Sequence, residues 1–261
     1  MMRSHAPRKR FGQHFLHDKL IIQRIIDMVS PKSSDHFVEI GPGQGALTVP
    51  LLKAISELDV IEIDRDLIPA LKLRCEDKGI LHVYEGDALT YDLHPIIKKK
   101  SPIRLIGNLP YNISTPLIFH LLEYAADVED MHFMLQKEVV HRIAAAPNSA
   151  DYGRLSIMVQ YHCKVRALFD VGPEAFYPPP QVESSIVRLI PHHGIPYPAK
   201  NYSHFTDVVR TAFSHRRKTL RNSLKAMIHD SDWQNMNIDS HLRPEQIGVK
   251  EYVEISNSVT L

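Results

Sequence analysis

The sequence predicts an α/β fold, a mostly parallel sheet of about seven strands with crossover helices, followed by a smaller all-helical region. Two observations lead there. Short, apolar, often β-branched runs alternate with longer segments whose apolar residues recur at helical spacing. After a Pro- and Gly-containing stretch at residues 192–198, that alternation stops and only helix-like pattern remains.

Taken in order, residues 36–40 form the first strand-like run, and the Gly-rich turn after it leads into a helical pattern at 46–56. Residues 59–63 then read as a strand and 67–77 as a helix, followed by a strand at 80–84. Another strand is expected at 103–106, a helix at 115–126 and a strand at 131–135. A helix at 153–161 and strands at 165–170 and 185–190 complete the sheet region. A boundary near Gly194 divides the chain into a first domain, 1–193, and a helical second one, 194–261.

Bulk properties narrow the class. At 261 residues, 44% hydrophobic and 23% charged, the chain has the composition of an ordinary soluble enzyme. Cys75 and Cys163 are too few for a disulfide framework or a zinc cluster. The 16 histidines show no metal-ligand spacing, so no metal is expected. No apolar run approaches a membrane span, and no signal-type apolar segment follows the basic start, which points to a cytoplasmic protein without membrane contact. No exposed heptad seam is visible, and a monomer is expected.

The net charge of +1 conceals a distribution. Arg3, Arg8, Lys9 and Arg10 crowd one end, and Arg216, Arg217, Lys218 and Arg221 a late segment. Arg217 and Arg221, four apart, would share a helix face and offer guanidinium forks to phosphate oxygens. Lys98, Lys99 and Lys100 read as a solvated loop.

Two motifs carry chemistry. Gly41, Gly43 and Gly45 follow the first strand, and three residues without Cβ allow both a sharp turn and close approach of backbone to a ligand. The spacing is tighter than the dinucleotide pattern and favours S-adenosylmethionine over NAD. A carboxylate at the end of the second strand should accept from ribose hydroxyls, and Glu62 stands 21 residues after Gly41. Asp64 and Asp66 lie beyond that strand and suit the opening of the next helix. Asp87, after the third strand, can accept from the cofactor's adenine amino group.

The second motif, Asn108-Leu109-Pro110-Tyr111, ends the fourth strand. An adenine N6 amine is flattened by conjugation, so a methylating site must turn its lone pair toward the donor. The Asn108 side-chain oxygen and the Leu109 carbonyl, stiffened by Pro110, supply two acceptors for that purpose. Tyr111 adds an aromatic face for a base taken out of its stack. No general base is needed in advance, because the amine becomes acidic as it is alkylated.

Five segments, Phe11 to Leu16, Val38 to Gly45, Asn108 to Ser114, Phe176 to Ser184 and Arg216 to Leu224, together closely resemble the ribosomal RNA adenine N6,N6-dimethyltransferases that act on small-subunit RNA. The resemblance covers nearly the whole chain. It implies a Rossmann-like class I methyltransferase sheet, S-adenosylmethionine as methyl donor, and dimethylation of two adjacent adenosines in a 3′-terminal hairpin loop during assembly of the small ribosomal subunit. It further implies that His14 and Leu16 help hold the methionine part of the cofactor, with Gly41, Glu62, Asp87 and Asn108 completing that site. Phe176 would sandwich the flipped adenine against Tyr111. The late basic segment would contact RNA. His14 stands where many relatives carry Asn, and His215 where Gln is frequent. Two other functions stay open on the residues: a large-subunit methylase of the macrolide-resistance type, which shares the catalytic loop, and an assembly-checking RNA-binding protein with incidental methylation.

Overall fold

A computed structural model describes residues 13–258. Arg3, Arg8, Lys9 and Arg10, and the first two residues of the Phe11 to Leu16 motif, lie outside them. The chain divides into two compact units, residues 1–140 with 166–191 and residues 141–165 with 192–261. The second unit joins residues 192–261 to residues 141–165, a segment assigned by sequence to the first domain. Packing against elements distant in sequence decides that membership, and local pattern carries no sign of it.

In the first unit a two-residue strand β1 (Phe15–Leu16) precedes helix α1 (Lys19–Val29). Asp18 caps α1 by accepting from the Leu20 and Ile21 amides. There follow β2 (Phe37–Ile40), α2 (Thr48–Ile55), β3 (Glu57–Glu62), α3 (Ile68–Cys75), β4 (Ile80–Glu85), α4 (His94–Ile97), β5 (Ile103–Asn108), α5 (Ser114–Leu122) and β6 (Val128–Gln136). Helices α6 (Lys137–Ala144) and α7 (Arg154–His162) lead to β7 (Cys163–Val171), then β8 (Phe176–Tyr177) and β9 (Ser184–Pro191). Each expected strand and helix of the sheet region is present, with ends shifted by a few residues.

The main sheet has seven strands in the order β4-β3-β2-β5-β6-β9-β7. Strands β2 to β6 pair in parallel, and β9 returns antiparallel to β6. All four residues of β2 are buried, as expected of a central strand covered on both faces. A core built from α1, α2, β2 and β3 residues, including Ile25, Val29, Phe37, Leu51, Leu52 and Val60, covers one face. The chain leaves β2 toward β3 on one side and reaches β5 on the other. Such a switch of direction opens a crevice at the carboxyl ends of the strands, where ligands of α/β sheets sit.

Outside this sheet, β1 pairs antiparallel with β8, Phe15 opposite Tyr177 and Leu16 opposite Phe176. Neither two-residue strand is long enough to leave a periodic signal in the sequence.

The second unit has a helical core. Besides α7 it contains α8 (Tyr202–Ser214), α9 (Leu220–Ser223), α10 (Asp230–Gln234) and α11 (Val249–Ser258). Asn201 caps α8, whose buried Phe205, Val208, Val209 and Ala212 recur at helical spacing and face α7 and α11. No helix among the described residues is long and apolar enough to cross a membrane.

Candidate active site

At the carboxyl ends of β2, β3 and β5 lies a cavity of about 280 Å³. Its wall brings together His14, Leu16, Gly41, Glu62, Asp87, Asn108, Leu109, Pro110 and Tyr111, all expected from the sequence. The turn after β2 holds Gly41, Gly43 and Gly45 at φ of 67°, 56° and 85°, a region that strains any residue with a Cβ. The Gly41 amide donates to the Ile61 carbonyl at 2.9 Å, which ties the turn to β3.

Glu62 ends β3 and is 4% exposed. Its Oε2 accepts from the Gly43 amide at 3.0 Å and its Oε1 from the Asp64 amide at 2.8 Å. These bonds fix the carboxylate while leaving further lone pairs for hydroxyl donors. Burial raises its pKa against those hydrogen bonds. Asp64 is also buried and accepts from the Gln13 side chain at 2.9 Å. It braces the pocket rim, and α3 starts only at Ile68. Asp87 lines the cavity and accepts from the Leu89 amide at 3.0 Å through Oδ1.

Sequence reasoning passed over Glu39. It lies in the middle of β2, 2% exposed, lines the cavity, and has an Oε2 without a hydrogen-bond partner. Burial, with Glu62 nearby, pushes its carboxyl up to about 8. A carboxylate inside an otherwise fully apolar strand was the available signal. Gly107 was also missed: a Cβ there would lie 2.5 Å from the Ile40 carbonyl, so only glycine lets β5 approach β2 this closely just before Asn108.

The residues of the cavity fit S-adenosylmethionine. Two buried carboxylates, Glu39 and Glu62, one of them with an unpartnered oxygen, suit a ligand that carries cationic groups and a ribose, and the glycine turn leaves its backbone accessible. Asn108 donates through Nδ2 to the His14 carbonyl at 2.9 Å, so its Oδ1 is turned away from that bond as an acceptor. Leu109 is buried and its amide donates to the Met134 carbonyl at 3.1 Å, holding the loop onto β6. The Tyr111 hydroxyl lies 2.6 Å from Ser184 Oγ, and its ring stacks on that of His14 with centroids 5.8 Å apart.

Phe176, expected to pair with Tyr111 around the base, is 2% exposed, belongs to the core cluster that holds Leu16, Phe169 and Ala175, and is not among the residues that line the cavity. Strand alternation explains this, because β8 turns Phe176 inward opposite Leu16 and leaves Tyr177 65% exposed. Arg217 and Arg221 do not share a helix face either. α8 ends at Ser214, residues 215–218 form a turn, and only Arg221 lies in α9.

Within the basic segment, Arg221 is paired with Asp230 at 2.9 and 2.5 Å, and Arg216 donates to the Ala150 carbonyl at 2.8 Å. The side chains of Arg217 and Lys218 are exposed and have no partner among the described residues.

Comparison with known proteins agrees with this geometry. Residues 4–261 match the family described as ribosomal RNA adenine dimethylase. The chain is 52% identical over 255 residues to the ribosomal RNA small subunit methyltransferase A of Pseudomonas fluorescens, covering 98% of this chain and 94% of that one. The protein of the same name from Pseudomonas aeruginosa is 53% identical, with 98% and 95% covered. Among solved structures, a dimethyladenosine transferase from Plasmodium falciparum superposes with a TM-score of 0.79 at 30% identity, over 93% of this chain and 96% of that one. The 23S rRNA methyltransferase ErmE superposes with a TM-score of 0.73 at 22% identity over 94% and 98%, a likeness of fold. With the glycine turn, the acidic strand ends and the Asn-Leu-Pro-Tyr loop gathered on one cavity, the chain belongs to the ribosomal RNA adenine dimethylase family.

Proposed function

We propose that this protein transfers methyl groups from S-adenosylmethionine to the N6 amines of two adjacent adenosines in a 3′-terminal hairpin loop of small-subunit ribosomal RNA, during assembly of that subunit. The observation that carries this reading is the state of Asn108. Its amide nitrogen is committed to the His14 carbonyl, so its oxygen is the atom left to meet an amine at the cavity mouth, beside the Tyr111 ring. The bound cofactor supplies an electrophilic methyl on a sulfonium centre.

The protein's own groups do the rest. Glu62, held by two backbone amides, accepts from ribose hydroxyls, and Asp87 accepts from the adenine amine of the cofactor. Asn108 and the Leu109 carbonyl accept the two N–H bonds of the target amine and rotate its lone pair out of conjugation, which helps most as the bond to carbon forms. Tyr111 stacks on the extruded base. The proton released from the alkylated nitrogen passes to water.

RNA contact falls first to Arg217 and Lys218, whose side chains have no partner among the described residues, while Arg216 and Arg221 contribute by exchanging their present partners for phosphates. We further read the protein as a cytoplasmic monomer.

The test is to incubate it with labelled S-adenosylmethionine and, separately, unmodified small subunits, large-subunit RNA and the free hairpin, then digest and identify the nucleosides. N6,N6-dimethyladenosine at two neighbouring positions of small-subunit RNA is expected, and label confined to large-subunit RNA would overturn the reading. Binding to small subunits without label would instead mark an assembly-checking protein.

A further inference from the structure

A tyrosine side chain on a loop has two free torsions, and stacking against a base requires both to be held. Tyr111 sits just past the end of β5, where the sheet no longer constrains it. Two contacts restrain it from different directions. At its tip, the hydroxyl lies 2.6 Å from Ser184 Oγ. Ser184 is fully buried, starts β9, and is in register opposite Gln136 of β6; the Lys137 amide donates to the carbonyl of the preceding residue, Glu183, at 3.0 Å. The anchor is therefore the sheet itself.

On its face, the ring meets the His14 imidazole with centroids 5.8 Å apart and planes 23° from parallel. His14 is held in turn: Nδ1 lies 2.7 Å from the Pro178 carbonyl, a contact that assigns the proton to Nδ1. Two stacking gaps of about 3.5 Å each would be needed to place a base between the rings, more than the observed spacing allows. His14 backs Tyr111, and the base takes the opposite face.

We infer that Ser184 and His14 are positioning residues, which set the plane of the Tyr111 ring and so the angle at which the target adenine meets the methyl donor. This rests on the base-stacking reading of Tyr111. Ser184 itself, and the Pro178 carbonyl that holds His14, both come from residues 178–184, which gives that segment a part in orienting Tyr111. His14 also joins the two halves of the amine-orienting loop, since its carbonyl holds Asn108 and its ring holds Tyr111.

Single-turnover methyl transfer to unmodified small subunits, at saturating cofactor and RNA, tests this through a double-mutant cycle. Ser184→Ala is expected to slow transfer about five- to tenfold while S-adenosylmethionine affinity, read by calorimetry, stays within about twofold. In the Tyr111→Phe background, Ser184→Ala should cost nothing further, because the hydroxyl it holds is already gone. Tyr111→Phe removes the same bond from the other side and should reproduce the slowing if Ser184→Ala does not fold. His14→Phe, which keeps a ring, should retain more of the rate than His14→Ala. With 2-aminopurine in place of the target adenine, the change in fluorescence on binding should shrink for Ser184→Ala and His14→Ala.

Equal costs of Ser184→Ala in both backgrounds, or an unchanged rate for Tyr111→Phe, would overturn the tip contact. A His14→Ala variant that loses cofactor affinity yet keeps its saturated rate would overturn the face contact. Full activity of Tyr111→Ala would instead sink the base-stacking reading itself, so the two failures are distinguishable.

Discussion

Single carboxylates set the character of the cavity, and Glu39 is the one pushed furthest from the ordinary carboxylate range. Its carboxyl is pushed up to about 8 from an ordinary 4.5, so between those values the folded protein holds a proton that the unfolded chain has released. Stability must then fall as pH rises from about 4.5 to about 8, at up to about 1.4 kcal/mol per pH unit, and level off above. Glu39→Gln should remove that contribution, so the variant gains on the parent as pH climbs. Urea unfolding at pH 5, 6.5 and 8 measures it, and parallel curves would show that Glu39 is already ionised. Asn108 provides the complementary prediction for chemistry. Asn108→Ala should reduce turnover at saturating substrates by at least tenfold, with a smaller change in cofactor affinity, because its oxygen acts most strongly in the transition state. Calorimetry beside single-turnover kinetics separates the two, and full turnover would remove Asn108 from the amine-orienting role. Both the Asn108 loop and Glu62 were legible in the sequence, since turn residues and strand-end carboxylates have fixed offsets. Glu39 was not, because inside a strand it reads as one polar residue among apolar ones, and only the packing shows that no solvent reaches it.

Among elements, the junction of β5, β6 and β9 carries the largest buried charge. Asp130 is fully buried and accepts from Arg104 at 2.8 and 3.0 Å and from Arg188 at 3.1 and 2.7 Å, binding three neighbouring strands through one carboxylate. Burial opposes its ionisation, but the hydrogen bonds from Arg104 and Arg188 and the surrounding positive charge together outweigh it and lower its pKa. Asp130→Asn should cost about 3 kcal/mol, since it removes the buried charge that Arg104 and Arg188 share, while Arg104 keeps its bond to Asp35 at 2.7 Å. Beside it, His132 is buried without a hydrogen-bond partner, and burial lowers its pKa from 6.5 to about 4. The unfolded chain takes up a proton there that the folded one refuses, so stability falls as pH drops from 6.5 to about 4, by roughly 3 kcal/mol in all. His132→Phe should flatten that slope in denaturant titrations at pH 7, 5.5 and 4.5, and a slope equal to the parent's would assign the acid sensitivity elsewhere. The strands of this junction could be read from their apolar runs, but the ion cluster could not. Arg104, Asp130 and Arg188 are far apart in sequence, and only strand order brings them to one point. Helix α1 was legible in principle, with Asp18 as cap and Ile21, Ile22, Ile25, Ile26 and Val29 at helical spacing.

At the scale of the whole molecule, the RNA contact proposed for the basic segment of the helical unit can be measured. Replacing Arg217 and Lys218 by Gln should weaken RNA binding and lower the log-log salt slope by roughly one unit for each phosphate no longer neutralised, with cofactor affinity unchanged. Filter binding across a salt series decides it, and a slope equal to the parent's would return both residues to a solvated surface. Arg221→Gln should do less, because its guanidinium is already engaged by Asp230. Composition could announce the basic cluster, whereas which of its members are engaged depends on where the chain turns after α8. The pairing of β1 with β8 has a consequence of another kind, for the order of events during synthesis. His14 and Pro178, joined by a hydrogen bond, lie 164 positions apart, and the first unit resumes at residue 166 only after the chain has passed through part of the second. A nascent polypeptide therefore carries Gly41, Glu62 and Asn108 out of the exit tunnel long before the strand that braces their N-terminal wall exists. Methylating competence cannot build up gradually along the growing chain, and arrives only after residues 176–184 have emerged.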